Sequence, residues 1–182
     1  MEIRLLELAE LARVTEIDVT EDGWVVLEQR GDAVTARAET WSRPPRPADR
    51  WTEFGARWRA FVPDAGAALG AFEDGRLVGI ATLRRDVRPY TDQLEALFVD
   101  RAHRRRGVAT ALVAAIEGLA REGGARTLYV SATPSESAVG CYRSRGFVPT
   151  PDPIPELLDL EPEDIHMVLA LYEQVPGFGS TR

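Results

Sequence analysis

One stretch of this chain constrains its fold more than any other: it runs from Leu97 to Thr110 and joins an apolar run to a helical pattern through a basic loop. The run Leu97-Phe98-Val99 predicts a strand, and the apolar residues after Gly107 recur at helical spacing. A helix that begins there presents free backbone N–H groups and the positive end of its dipole. Because Gly107 lets a ligand approach the backbone, this turn predicts a site for phosphate groups.

Two other phosphate-binding motifs are missing from the sequence. It contains no Gly-x4-Gly-Lys-Ser/Thr motif, which argues against nucleotide hydrolysis of the P-loop type, and no Gly-x-Gly-x-x-Gly motif of a dinucleotide fold. The chain also has no lysine, so a mechanism that requires a catalytic lysine is excluded.

A chain of 182 residues with ordinary apolar content is expected to form one domain. Its 22 basic and 29 acidic side chains give a formal charge of −7, which argues against a general nucleic-acid binder. One cysteine cannot form an internal disulfide, and two distant histidines do not favour a zinc site. No apolar run approaches the roughly 20 residues of a membrane span, and the N-terminus lacks a signal pattern, so we expect a cytoplasmic protein.

The remaining pattern predicts a mixed α/β fold with a mostly antiparallel sheet, one parallel strand–helix–strand unit and helices on both faces. A helix is expected over Leu5–Val14, a hairpin over Trp24–Glu39, and a rigid proline-rich connection over 42–47. An aromatic stripe at Trp51, Phe54, Trp58 and Phe61 predicts the next helix. The following elements are expected to be strands at 67–72, 76–83 and 93–99, a helix that starts at 108 and is ended by Gly123-Gly124, a strand at 127–131, a helix at 136–144 and a strand at 165–171.

Two motifs in this order carry a family resemblance. Arg104-x-x-Gly107-x-Ala109 after a strand resembles the Arg/Gln-x-x-Gly-x-Gly/Ala acyl-CoA motif of the GNAT superfamily of N-acetyltransferases. Downstream, Ala138-x-x-x-Tyr142-x-x-x-Gly146-Phe147 is similar to that superfamily's second signature, in which the tyrosine faces the cofactor thiol. One predicted helix and one predicted strand separate the motifs, as in the superfamily. The resemblance covers Ala67 to Leu171.

The resemblance implies that acetyl-CoA is the co-substrate, with the backbone of Leu97–Val99 along the pantetheine arm and the amides of Arg105–Thr110 on the pyrophosphate. Ser135 stands where the superfamily often has an asparagine, and it can cap the helix that follows. The expected cofactor-binding residues are Leu97, Phe98, Val99, Arg104, Arg105, Arg106, Gly107, Val108, Ala109, Thr110, Ser135, Ala138 and Tyr142. We expect a single domain over 1–174, with an acceptor-side region at 1–66, an acyl-CoA core at 67–171 and a frayed tail at 175–182.

Direct transfer of an acetyl group to an amine requires a proton acceptor, because an alkyl ammonium has a pKa of about 10. By resemblance, Glu95 on the strand before the phosphate turn is the candidate base, directly or through a water, with Asp86 and Glu39 as weaker alternatives. Strict alternation places Glu95 on the face of Leu97, unless a bulge changes the parity. Tyr142 is the candidate acid for the departing thiolate.

The remaining candidates concern the acceptor. Cys141 has no histidine nearby in sequence, so an inert thiol is expected, and His166 is expected in the core or at an edge. The acceptor side is expected to come from the hairpin, the aromatic helix and the last strand, with Trp51 or Trp58 bordering the pocket. A small-molecule amine is the expected substrate; a protein N-terminus or lysine and a non-catalytic acyl-CoA sensor are the alternatives. The resemblance also implies a possible homodimer.

Overall fold

The computed structural model describes residues 1–172, where a seven-stranded sheet has helices on both faces. The strand order is β1-β4-β5-β6-β7-β9-β8, and β2 and β3 form a separate hairpin. The strands are β1 Glu2–Leu5, β2 Glu21–Arg30, β3 Ala33–Arg43, β4 Gly66–Glu73, β5 Arg76–Arg88, β6 Thr91–Val99, β7 Thr127–Ala132, β8 Val148–Pro149 and β9 Ile165–Ala170. The helices are α1 Ala48–Ala65, α2 Val108–Glu122, α3 Glu136–Ser144 and α4 Pro155–Leu160, with 3₁₀ helices at Leu8–Glu16 and Arg101–His103.

The pairing of β6 with β7 is the only parallel one in the described sheet, and the other neighbours are antiparallel. This confirms the predicted mixed sheet and its parallel strand–helix–strand unit. The parallel register is short, because it extends only from Thr91 opposite Thr127 to Gln93 opposite Tyr129. Beyond this register, β6 continues to Val99 and β7 continues to Ala132, but the two strands no longer pair with each other. The sheet is therefore open between them.

Two apolar clusters fill the two faces of the sheet. On one face, α2 and α3 pack through residues such as Leu112, Ile116 and Val139. On the other face, α1 and the first 3₁₀ helix pack through Leu11, Val14 and Trp58. The predicted placement of helices on both faces is therefore confirmed. Within the described residues, no helix is long and apolar enough to cross a membrane.

The N-terminal segment differs from its predicted structure. The helix expected over Leu5–Val14 is replaced by β1, which pairs with β4, and by a 3₁₀ helix over Leu8–Glu16. A reciprocal capping arrangement between Glu7 and Glu10 starts that helix and separates it from the strand.

The other differences lie in proline-rich stretches. β3 extends to Arg43, so the connection before α1 is shorter than 42–47. The short strand β8 and the helix α4 have no counterpart in the predicted pattern, because their prolines resemble a loop. The predicted tail, 175–182, lies outside the described residues, as does the end of the predicted domain at residue 174.

Candidate active site

A cleft of about 980 Å³ lies where β6 and β7 part. Its walls come from β6, the start of α2, α3, the loop before β9, α1 and the ends of the β2–β3 hairpin. Most of the residues proposed from sequence line it together: Glu95, Leu97, Phe98, Val99, Arg104, Arg105, Gly107, Val108, Ala109, Thr110, Ala138 and Tyr142. Four of the proposed residues do not line it, namely Arg106, Ser135, Trp51 and Trp58.

The start of α2 forms one end of the cleft. Gly107 precedes the helix with a left-handed φ of +84°, and no side chain caps the first turn. Nothing lies within 4 Å of a Cβ built on Gly107, so the positive φ and the open approach account for glycine at this position. The backbone N–H groups of the first turn are therefore available to an anion.

The arginines of the basic loop have different roles. Arg104 fastens the loop, because its Nε donates to the Val99 carbonyl at 3.3 Å and an Nη to the Thr20 carbonyl at 3.1 Å. The Arg106 side chain pairs with Glu73 at 3.2 Å, outside the cleft. The charge of the Arg106 side chain is therefore paired on the other side of the loop, and the predicted contact of the Arg106 backbone N–H with a pyrophosphate stays a prediction.

His103 anchors the same loop through two carboxylates. Its Nδ1 lies 2.8 Å from Asp100 Oδ1, and its Nε2 lies 2.9 Å from Glu73 Oε2. Burial opposes the charge on Asp100, but bonds from His103 and from the backbone N–H groups of Asp18 and Ala102 outweigh it and lower the pKa of Asp100. The bonds of His103 and Arg104 therefore hold the basic loop in place beside the cleft.

A β-bulge decides where Glu95 points. In the pairing of β5 with β6, Thr82 lies opposite Ala96 while Leu83 lies opposite Leu94, so Glu95 is the extra residue. Strict alternation would place Glu95 on the face of Leu97, which packs against the α2 cluster, but the bulge changes that parity. The Glu95 side chain instead reaches Thr82 and Trp58, on the α1 face.

Glu95 is held by three donors at the edge of the cleft. The Trp58 indole N–H donates to Glu95 Oε2 at 2.7 Å, and the Thr82 hydroxyl donates to the same oxygen at 2.8 Å. Arg57 forms an ion pair with Oε1. The side chain is only 6% exposed, so the carboxylate is fixed in orientation. The weaker base candidates, Asp86 and Glu39, do not line the cleft.

Tyr142 lies on α3 and lines the cleft from the other side. Its ring packs edge-on against Phe147, and burial, then the charges of Cys141 and Asp164, raise the pKa of its hydroxyl. The phenol therefore stays protonated at neutral pH and can donate. Burial also raises the pKa of the Cys141 thiol, which fits the expected inert cysteine.

The loop before β9 supplies acidic side chains that the sequence reasoning missed. Glu161, Glu163 and Asp164 line the cleft. Burial, together with the charge of Glu161, raises the pKa of Asp164 to about 7, and burial raises the pKa of Glu161. In the sequence, this run of acidic residues resembles a solvent-exposed turn. Only the pairing of β9 with β7 brings the run to the cleft.

The aromatic helix reaches the cleft through a different ring from the one predicted. Trp51 and Trp58 are 6% and 0% exposed and pack in the core, so the prediction that either ring borders the pocket is wrong. Phe54 lines the cleft instead, between Trp51 and Trp58 on the helix surface. Trp58 approaches the site only through its indole N–H, which holds Glu95.

The remaining two candidates are buried beside the cleft. Ser135 caps α3, its hydroxyl accepting from the Ala138 N–H at 3.3 Å, but it is 2% exposed and does not line the cleft. Its predicted contact with a cofactor is therefore not supported, although the predicted cap is confirmed. His166 is in the core as expected, with its Nδ1 2.6 Å from the Tyr129 hydroxyl, and burial lowers its pKa.

Comparisons with known proteins agree with this arrangement. Residues 27–147, more than half of the chain, match the model of the acetyltransferase (GNAT) family. No curated protein matches the chain by sequence. Six solved structures match over 93–99% of this chain at 16–18% identity, which shows a shared fold and no more.

Three of these structures illustrate the range. A nourseothricin acetyltransferase has a TM-score of 0.69 at 18% identity, covering 94% of this chain and 98% of that one. A proposed streptothricin acetyltransferase from Bacillus anthracis, solved with acetyl coenzyme A, has a TM-score of 0.66 at 17% identity, covering 93% and 98%. The ribosomal-protein-S18-alanine N-acetyltransferase from Escherichia coli has a TM-score of 0.61 at 18% identity, covering 98% and 99%.

The opened parallel strand pair, the uncapped start of α2 and Tyr142 across the cleft define an acyltransferase fold. The chain belongs to the GNAT family of acetyltransferases.

Proposed function

We propose that this protein is an N-acetyltransferase that moves an acetyl group from acetyl-CoA to a primary amine of a small molecule. The observation that carries the proposal is the single cleft, in which the phosphate turn, the open edge of β6, Tyr142 and an acidic acceptor end meet. The nourseothricin and streptothricin acetyltransferases among the similar structures support a small-molecule acceptor.

Acetyl-CoA, the co-substrate of this family, fits the cleft. A volume of about 980 Å³ suits a ligand of its size. The backbone N–H groups from Arg105 to Thr110 would hold the pyrophosphate, and the unpaired edge of β6 over Leu97–Val99 would hold the pantetheine arm. Bound there, acetyl-CoA supplies an acetyl group activated as a thioester.

The acidic acceptor end would bind and deprotonate the amine. Glu95 is fixed by three donors, one of them the cation of Arg57, so it is suited to orienting the ammonium or a water. Asp164, with a pKa of about 7, has the basicity that proton removal near neutral pH requires. We therefore assign Glu95 to positioning and Asp164 to accepting the proton, which revises the expectation that Glu95 is the base, directly or through a water.

Tyr142 would supply the proton to the departing thiolate. It makes no side-chain hydrogen bond to another described residue, so its hydroxyl is free to donate into the cleft. Its raised pKa keeps the proton on the phenol until the thiolate forms.

The test is release of free CoA thiol from acetyl-CoA in the presence of an acceptor panel. The panel contains streptothricin-type antibiotics, aliphatic diamines, amino acids and a peptide with an N-terminal alanine. We expect turnover with small amines. Turnover with the peptide alone would support the protein N-terminal alternative, and acetyl-CoA binding without turnover on a wide panel would support a sensor. A cytoplasmic location and a homodimer stay predictions.

A further inference from the structure

Arg46 occupies an unusual position in the wall of the cleft. It lies between β3 and α1, and its guanidinium carbon lies 4.7 Å from the ring centre of Phe54, 5.0 Å from Trp51 and 5.1 Å from Phe98. Its Nε is buried and has no hydrogen-bond partner. Burial, then the charges of Arg43, Arg50 and Arg57, lower the pKa of the guanidinium.

The neighbouring arginines of the acceptor side are paired. Arg57 forms an ion pair with Glu95, and Arg43 lies 3.1 Å from Glu21. Within residues 1–172, no carboxylate lies within ion-pair distance of Arg46. A cation that has lost much of its water without gaining an anion is costly, so this position calls for a negative partner.

The loop before β9 carries the complementary charge. Glu161, Glu163 and Asp164 line the cleft, and none of them is in an ion pair among the described residues. Among the described residues that line the cleft near Phe54, Arg46 is therefore a cation without an ion pair, and Glu161, Glu163 and Asp164 are carboxylates without one. A ligand that matches this distribution has at least one ammonium group and one anionic group.

We infer that Arg46 binds a carboxylate of the acceptor, so that the substrate is an amine that also carries a carboxylate, such as an amino acid. The inference rests on the proposed function and narrows its substrate class. A guanidinium donates two parallel hydrogen bonds to the two oxygens of a carboxylate, and this pair of bonds orients the bound molecule as well as holding it. The three rings fix the guanidinium plane, so little freedom is lost when the acceptor binds.

The test compares matched acceptors that differ only in the carboxylate: lysine with 1,5-diaminopentane, and ornithine with 1,4-diaminobutane. We expect higher kcat/KM for the amino acid in each pair. Arg46→Met should lower kcat/KM for the amino acids about 10- to 100-fold and leave the diamines nearly unchanged. Arg46→Lys keeps the charge and should retain part of the preference.

Arg50→Met is the matched control, because Arg50 is an exposed arginine of α1 that pairs with Glu53 at 2.8 Å outside the cleft. It should leave the preference unchanged. If Arg46→Met does not fold, Arg46→Gln also removes the charge and keeps a polar side chain at this position, and it should lose the preference in the same way. Efficient turnover of diamines with no preference for their carboxylated partners would overturn the inference and leave the proposed function standing. No turnover with any small amine would overturn both.

Discussion

The indole N–H of Trp58 donates a 2.7 Å hydrogen bond to Glu95 Oε2, and this bond joins the buried face of α1 to the bulge in β6. Trp58 is fully buried, so it cannot contact an acceptor directly. Its role in the site is to hold a carboxylate at the edge of the cleft, together with the hydroxyl of Thr82.

Replacing Trp58 with phenylalanine should therefore affect the acceptor step more than the fold. The substitution keeps an aromatic ring but removes the donor to an ionised group, a bond worth about 1.5–3 kcal/mol. We expect kcat to fall about 10-fold and the KM for acetyl-CoA to stay the same. Trp51→Phe, in the same aromatic cluster, is the control and should change none of these. Equal kinetic losses in the two variants would reduce Trp58 to a packing role.

Tyr142→Phe tests whether the Tyr142 hydroxyl donates the proton to the departing thiolate of CoA. It removes one hydroxyl and keeps the ring contact with Phe147. We expect kcat to fall about 100- to 10,000-fold with little change in thermal stability. Tyr129→Phe is the matched control, because the Tyr129 hydroxyl lies outside the cleft and forms hydrogen bonds with His166 and with the Ile154 N–H. This variant should be less stable than wild type and keep its kcat. A Tyr142→Phe kcat within about threefold of wild type would make Tyr142 structural.

Asp164 should make the stability of the protein depend on pH. Its pKa rises from 3.8 to about 7 on folding, so the folded state binds the proton more tightly than the unfolded state. Stability is then lost as the pH rises from about 4 to about 7.

Asp164→Asn should remove this loss. We expect the melting temperature of this variant to exceed that of wild type at about pH 8 by more than it does at about pH 5. Each kcal/mol of difference in the free energy of unfolding corresponds to about 2–4 °C. The control is Asp152→Asn, since Asp152 is 84% exposed and should give nearly the same difference at both values. A wild-type advantage that grows with pH would contradict the assignment of a raised pKa.

The order of the elements and the phosphate-binding turn could be predicted because both depend on residues that are close together in the sequence. Gly107 follows a strand and a basic loop, and its predicted role needs only the start of α2. The strands and helices predicted from residue 67 onward have clear periods, and their order is confirmed, although β8 and α4 were not among them.

The acceptor side could not be predicted in the same way, because it is built by contacts between distant segments. The bulge that turns Glu95 toward Trp58 depends on the register of β5 against β6. The loop of Glu161 and Asp164 reaches the cleft only through the pairing of β9 with β7. The sequence shows the aromatic stripe of α1. Which of its rings faces the cleft depends on how α1 packs against Phe98.

The central claim is that the turn at Gly107 holds the pyrophosphate of acetyl-CoA, and calorimetric titration of acetyl-CoA into Gly107→Trp tests it most directly. Gly124→Trp is the matched control, since Gly124 follows the other end of α2, has a φ of +85° and, like Gly107, has nothing within 4 Å of a built Cβ. Both substitutions strain a left-handed residue by about 1–2 kcal/mol. We predict that both variants fold and that only Gly107→Trp lowers the affinity, by more than about 10-fold. A folded Gly107→Trp protein that binds acetyl-CoA as tightly as wild type would contradict the account.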